Sequence, residues 1–184
     1  MTDLLELQKS FLLRHIGEGD TVADFTMGNG HDTLYLSRAV GEDGHVWAFD
    51  VQAAALESTK RNLTDHGAPE NYTLIHDSHA NVKQYVEGPI CAGVFNLGYL
   101  PGSDKKVTTM RESTLKAVTD SIDLLDDDGI ILICIYPGHA EGEAEGKMLI
   151  EYLGENYDRK QYCVGMFRIL NSPDSPFFIA VEKK

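Results

Sequence analysis

The chain has 184 residues, with 16 Lys and Arg against 29 Asp and Glu and a formal charge of −13. That balance repels phosphate backbones and anionic membranes, and excludes a protein that coats nucleic acid by counterion release. Hydrophobic residues at 42% and charged residues at 24% are ordinary globular composition, against disorder and in favour of one domain over 1–184.

Leu4, Leu5, Leu7, Phe11 and Leu12 predict a helix over 3–15, closed by Gly17, Gly19 and Asp20. TVADFTM reads as a short strand, GNG as a glycine turn, and HDTLYLSRAV as a helix behind an Asp or Asn cap. HVWAFD (45–50) is a second strand ending in an acid, and 51–67 an alanine-rich helix closed by Gly67.

YTLIHD (72–77) is a third strand, followed by a helical segment near Ala80 to Tyr85. ICAGVFNL (90–97) is nearly continuous in apolar residues, as a parallel strand buried on both faces should be. A helix over 113–125, a DDDG turn and the apolar strand GIILICIY (129–136) follow. A helix near 143–153 leads to strands at 161–170 and 177–183.

The connection between those last two is too short for a parallel crossover, so they should form an antiparallel hairpin. The prediction is an α/β fold, a doubly wound and mostly parallel seven-stranded sheet, with its ligand crevice at the carboxyl ends of the strands. Cys91, Cys134 and Cys163 are an odd set without close spacing, which suggests no disulfide framework, no metal site and a reducing, cytoplasmic setting. Neither a signal peptide nor a bilayer-spanning apolar run is expected.

The sharpest chemical feature is Asp24, then Gly28-Asn29-Gly30, then Asp50, on consecutive strand ends. A dinucleotide fingerprint wants a third glycine where this chain has Thr33, which weighs against NAD or FAD. A nucleoside cofactor without a pyrophosphate needs only a side-chain-free turn and an acid for the ribose hydroxyls, and S-adenosylmethionine is one.

The segment DFTMGNGHDTLYLS, then AFDVQ, HDSHAN, FNLGYLPGSDK, YPGH and NSPDSPFFIAVEK together resemble the small bacterial class I methyltransferases first labelled rRNA methylases and understood as tRNA wobble-uridine enzymes. The resemblance covers almost the whole chain. It implies a Rossmann-like fold, S-adenosylmethionine as cofactor, and N-methylation of the aminomethyl group of 5-aminomethyl-2-thiouridine at wobble position 34, giving 5-methylaminomethyl-2-thiouridine. Where the wider class has the first glycine of D/E-x-G-x-G-x-G this chain has Thr26, a mark of the small family. A methyltransferase of another RNA or of a small amine, or a non-catalytic nucleoside-binding module, stays as the alternative.

Carried over by position, Asn29 and the backbone of Met27, Gly28 and Gly30 would face the methionine moiety. Asp50 would hold the ribose hydroxyls, with Gln52 beside the adenosine. Ser78 and His79 would line the adenine side, unless His79 is a surface cap. His31 and Asp32 start the helix after the turn, Asp32 favoured by its positive end. The stretch from Asn96 to Pro101 would hold the target: Asn96 and Tyr99 as catalytic groups, Gly98 and Pro101 shaping the substrate loop or serving as a plain turn.

Asp104, Tyr136 and His139 are candidate proton acceptors or substrate ligands, and His139 has the best-matched ordinary pKa. The expected partners are a tRNA anticodon loop and a second copy of the chain. Lys105 and Lys106, with Arg111 and Lys147, would give the few phosphate contacts a single loop needs. The acidic runs Asp126 to Asp128 and Glu141 to Glu145 read as solvated faces.

Overall fold

The computed structural model describes residues 4–98, 109–138 and 140–184. Tyr99, Pro101, Asp104, Lys105, Lys106 and His139 lie outside them. In chain order the elements are α1 (Leu4–Leu12), β1 (Thr21–Asp24), α2 (His31–Val40), β2 (His45–Asp50), α3 (Ala53–Asp65), β3 (Tyr72–His76) and a 3-10 helix (His79–Gln84). Then come β4 (Ile90–Leu97), α4 (Arg111–Asp123), β5 (Leu125–Ile135), α5 (Ala140–Asn156), β6 (Tyr162–Phe167) and β7 (Phe177–Lys183).

The sheet runs β3-β2-β1-β4-β5-β7-β6. The first five strands are mutually parallel, with Val22 opposite both Val46 and Ala92. The expected antiparallel pair closes the sheet, and β7 inserts between β5 and β6, Ile179 lying opposite Ile133 and Met166. Strand order reverses between β1 and β4, and at such a switch point an open α/β sheet leaves its crevice outside the carboxyl ends.

Alternate strand residues supply two cores. Phe25, Phe49, Phe95, Ile131 and Ile133 pack with Val118, Ile122, Leu149 and Leu153 on one face. Val22, Val46, Val94, Ile130 and Leu132 pack with Leu12, Leu36 and Val40 on the other. The Phe25 ring stacks on Phe95 at 4.3 Å and on Phe49 at 5.9 Å, an aromatic row across the ends of three strands. Each such ring contributes about 1.5–3 kcal/mol by leaving water.

Three expectations change. The DDDG turn is instead part of β5, whose pairing with β4 shifts register between Ile90 and Ala92. Its aspartates are exposed, and Asp128 takes a left-handed φ of 63° where His15 Nδ1 donates to its carbonyl at 2.6 Å. The strand expected over 161–170 ends at Phe167, because the chain turns: Arg168 donates to the Pro173 carbonyl at 2.6 Å and the Ser172 N–H to that of Ile169 at 3.2 Å. No Asp or Asn caps α2; Gly30 holds that position at φ 78°. Among the described residues no helix is long and apolar enough to cross a membrane.

Candidate active site

Leaving β1, the chain crosses the switch point by donating the Phe25 N–H to Val94 O and the Met27 N–H to Phe49 O, both at 2.9 Å. The glycine turn then rests on α3. Thr59 Oγ1 donates to Gly28 O at 3.1 Å, Asn62 Nδ2 to Asn29 O at 3.0 Å, and Ser58 Oγ to Asn29 Oδ1 at 2.9 Å. A Cβ on Gly30 would lie 2.8 Å from Thr59 Cα, so the second glycine is required by this close approach as well as by its positive φ.

The Met27 side chain is buried against Ala48 and Ala55. The Asn29 carboxamide, expected to face a ligand, has its oxygen held by Ser58 of α3. The α3 clamp is missed by sequence reasoning; its one local signal is that Ser58, Thr59 and Asn62 share a helix face at i, i+1, i+4 spacing.

Asp50, at the end of β2, accepts the Gly28 N–H at 3.1 Å and the Gln52 N–H at 2.9 Å. Gln52 precedes the first residue of α3. Between them Val51 is 56% exposed, its carbonyl held by His76 Nε2 at 3.0 Å, leaving an apolar surface beside a carboxylate. Ser78 Oγ accepts the Ala80 N–H at 3.2 Å and is the cap of the 3-10 helix. His79 is no surface cap. It is buried, donates Nδ1–H to Phe25 O at 3.0 Å, and meets the Phe95 ring edge-on. Burial holds its pKa below the ordinary histidine value, so the ring is neutral.

Asp24 is wholly buried, accepting the Thr33 hydroxyl at 2.6 Å and the Thr26 N–H at 3.1 Å. Thr33, where a dinucleotide fold has glycine, therefore ties α2 to β1. Burial, reinforced by the charges of Asp32 and Asp50, pushes the Asp24 carboxyl up to about 7. An unfolded Asp titrates near ~3.9, so between those values the folded chain keeps a proton that the unfolded chain has lost. The stabilisation is complete below about pH 4 and is lost as pH rises through about 7. Thermal melts should show the stability of the native protein, relative to Asp24→Asn, falling from pH 5 to pH 8; a pH-independent difference would contradict a protonated Asp24.

At the end of β4 the Asn96 N–H donates to Thr26 Oγ1 at 2.7 Å, which explains a threonine where the wider pattern has glycine. Asn96 Nδ2 donates to Asp32 Oδ2 at 2.6 Å, and the Tyr136 hydroxyl lies 3.4 Å from Asn96 Oδ1. Burial pushes the Tyr136 phenol up to about 12, so it stays protonated at neutral pH. Gly98 adopts φ 145° with nothing within 4 Å of a would-be Cβ.

Gly98 pairs with Thr109 through Thr109 N–H to Gly98 O at 2.9 Å and Gly98 N–H to Thr109 Oγ1 at 3.0 Å. Thr109 Oγ1 donates to Glu145 Oε2 at 2.8 Å, and Thr114 donates to Glu145 Oε1. Glu145 was read as part of a solvated acidic run and is wholly buried. The signal was present: it precedes the buried Leu149 and Leu153 by one and two turns of α5.

Of the cations expected near phosphate, Arg111 pairs with Glu141 at 3.0 Å. Lys147 lines a cleft of about 360 Å³ with Pro137, Glu143, Arg168 and Phe177. Asp50, Gln52, Asn96, Gly98 and Tyr136 are thus set around the carboxyl ends of β2, β4 and β5.

Residues 46–183 match the family described as "Putative rRNA methylase". The chain belongs to that family. The family match begins in β2, beyond the glycine turn, and the likeness to solved family structures extends over the rest. A Clostridium thermocellum protein described as a "putative rRNA-methylase" superposes with a TM-score of 0.96 at 36% identity, covering 100% of this chain and 99% of the other. A "putative methyltransferase" from Streptococcus mutans, solved in complex with SAH, superposes with a TM-score of 0.90 at 33% identity, covering 100% and 99%.

The chloroplastic tRNA (mnm(5)s(2)U34)-methyltransferase of Arabidopsis thaliana is 33% identical over 180 residues, or 92% of this chain and 65% of that protein. The rRNA methylase family chain therefore spans less than two thirds of the length of the curated relatives it matches.

Proposed function

We propose that the protein is an S-adenosylmethionine-dependent methyltransferase that N-methylates the aminomethyl group of 5-aminomethyl-2-thiouridine at the wobble position of tRNA. The observation that carries this reading is Asn96, whose carboxamide is anchored at the switch point, between the end of β4 and the first turn of α2. The family, the SAH complex of the Streptococcus mutans protein and the substrate named for the Arabidopsis relative support it.

The residues present fit the cofactor. The glycine turn carries no side chain at Gly28 or Gly30, the Asp50 carboxylate has lone pairs beyond those used by Gly28 and Gln52, and Val51 supplies an apolar surface for a flat ring. When bound, S-adenosylmethionine supplies an electrophilic methyl group. Asp50 would accept from the ribose hydroxyls. Asn96 Oδ1 accepts an N–H of the target amine and so aims the nitrogen lone pair. Alignment and exclusion of water do most of the work, because a neutral alkyl amine is already nucleophilic.

One proton must leave. Tyr136 is a poor acceptor because it already carries its own proton, which leaves Asp104 and His139, of which His139 has the better-matched ordinary pKa. The anticodon loop reaches the site with its target base splayed out, using a small footprint that suits a chain of charge −13. Incubating the protein with S-adenosylmethionine and tRNA bearing 5-aminomethyl-2-thiouridine should add one methyl group to that nucleoside in the digest. An unchanged nucleoside mass would rule the substrate out, and equal activity on the free nucleoside would favour a small-amine enzyme.

A further inference from the structure

We infer that Asp32 is a positioning residue that sets which end of the Asn96 carboxamide faces the target, and so selects a nucleophile that carries N–H. This rests on the proposed amine methylation. The oxygen and nitrogen ends of a carboxamide have nearly the same shape, so packing alone does not choose between them.

Asp32 chooses. Asp32 is half-buried, and its carboxylate Oδ2 accepts the Asn96 Nδ2–H at 2.6 Å; burial raises the Asp32 pKa, and this hydrogen bond opposes that shift by favouring the carboxylate, which only accepts. A flipped amide would set Oδ1 against the Asp32 carboxylate and leave two acceptors in contact. The Asn96 backbone is fixed by Thr26, so the side chain has little freedom to escape this choice. The protonated Tyr136 hydroxyl at 3.4 Å suits the same orientation, since it can donate to Oδ1.

The chemical consequence is direct. With Oδ1 outward, an amine donates N–H to the protein and keeps its lone pair for the methyl carbon. With Nδ2 outward, the amide would donate to that lone pair and quench it. Asp32 touches no substrate in this scheme and acts through Asn96.

The test compares wild type with Asp32→Ala, Asp32→Asn, Asn96→Asp and the double variant Asp32→Asn/Asn96→Asp in methyl transfer to the modified tRNA, with cofactor affinity measured by calorimetry. Asp32→Ala should lower kcat by about 100-fold, the scale of a misplaced reacting group, with KM for tRNA and cofactor affinity little changed. Asp32→Asn can present its own oxygen to Asn96 Nδ2 and should keep most of the activity. Asn96→Asp places two carboxylates in contact and should be nearly inactive. The double variant, in which the amide donor and carboxylate acceptor trade places, should recover at least about tenfold over Asn96→Asp.

An Asp32→Ala enzyme with wild-type kcat, or a double variant no better than Asn96→Asp, would overturn the inference. Should the wild type leave the tRNA unmethylated, the substrate reading fails on its own, and NMR of the Asn96 side-chain amide decides the orientation. Protons shifted downfield and slow to exchange in wild type, but not in Asp32→Ala, support it; identical signals in both overturn it.

Discussion

Replacing Asp50 by alanine should weaken S-adenosylmethionine binding by about 2–4 kcal/mol, which is roughly 30- to 1,000-fold in Kd. In the proposed site the ribose would lose a charged acceptor for two hydroxyls, and hydrogen bonds to charged groups are each worth about 1.5–3 kcal/mol. A second loss is internal. Asp50 accepts the N–H groups of Gly28 and Gln52 and so joins the glycine turn to the start of α3. Asp50→Asn keeps one acceptor oxygen and should fall between the two. Calorimetry checks both variants, and an unchanged affinity for Asp50→Ala would remove Asp50 from the cofactor site.

Asn96→Ala should lower turnover by about 10²- to 10³-fold, the usual cost of deleting one preorganised polar contact to a reacting group. Cofactor affinity should stay near wild type, because the contacts proposed for the cofactor are made by the turn and by Asp50. The Asn96 N–H to Thr26 bond belongs to the backbone and survives the change, so the strand end should keep its shape. Single-turnover methyl transfer separates this loss from product release. A parallel loss of cofactor binding would mean that Asn96 supports the cofactor and not the target.

Much of the fold is legible from local pattern. Continuous apolar runs at 90–97 and 129–135 become the central parallel strands, and the short connection before 177 produces the antiparallel β7. Strand-end residues such as Asp50 and Asn96 fall at the crevice because the alternation of strands and helices puts all parallel carboxyl ends on one side. Thr26 looks in sequence like a missing glycine, and its hydroxyl proves to be an acceptor for a residue 70 positions away. Glu145 looks like one more surface acid, and its carboxylate is the shared acceptor for Thr109 and Thr114.

The sequence by itself determined the elements, their alternation and the family, since hydrophobic period and turn chemistry act over a few residues and short motifs survive in order. The tertiary structure alone decided which polar side chains spend their hydrogen bonds on the protein and which face the crevice. Asn29 turns to α3, His79 turns inward to Phe25, and Asp32 closes on Asn96 from 64 positions away. Buried donors and acceptors must find partners wherever packing brings them, and no local pattern along the chain records those meetings.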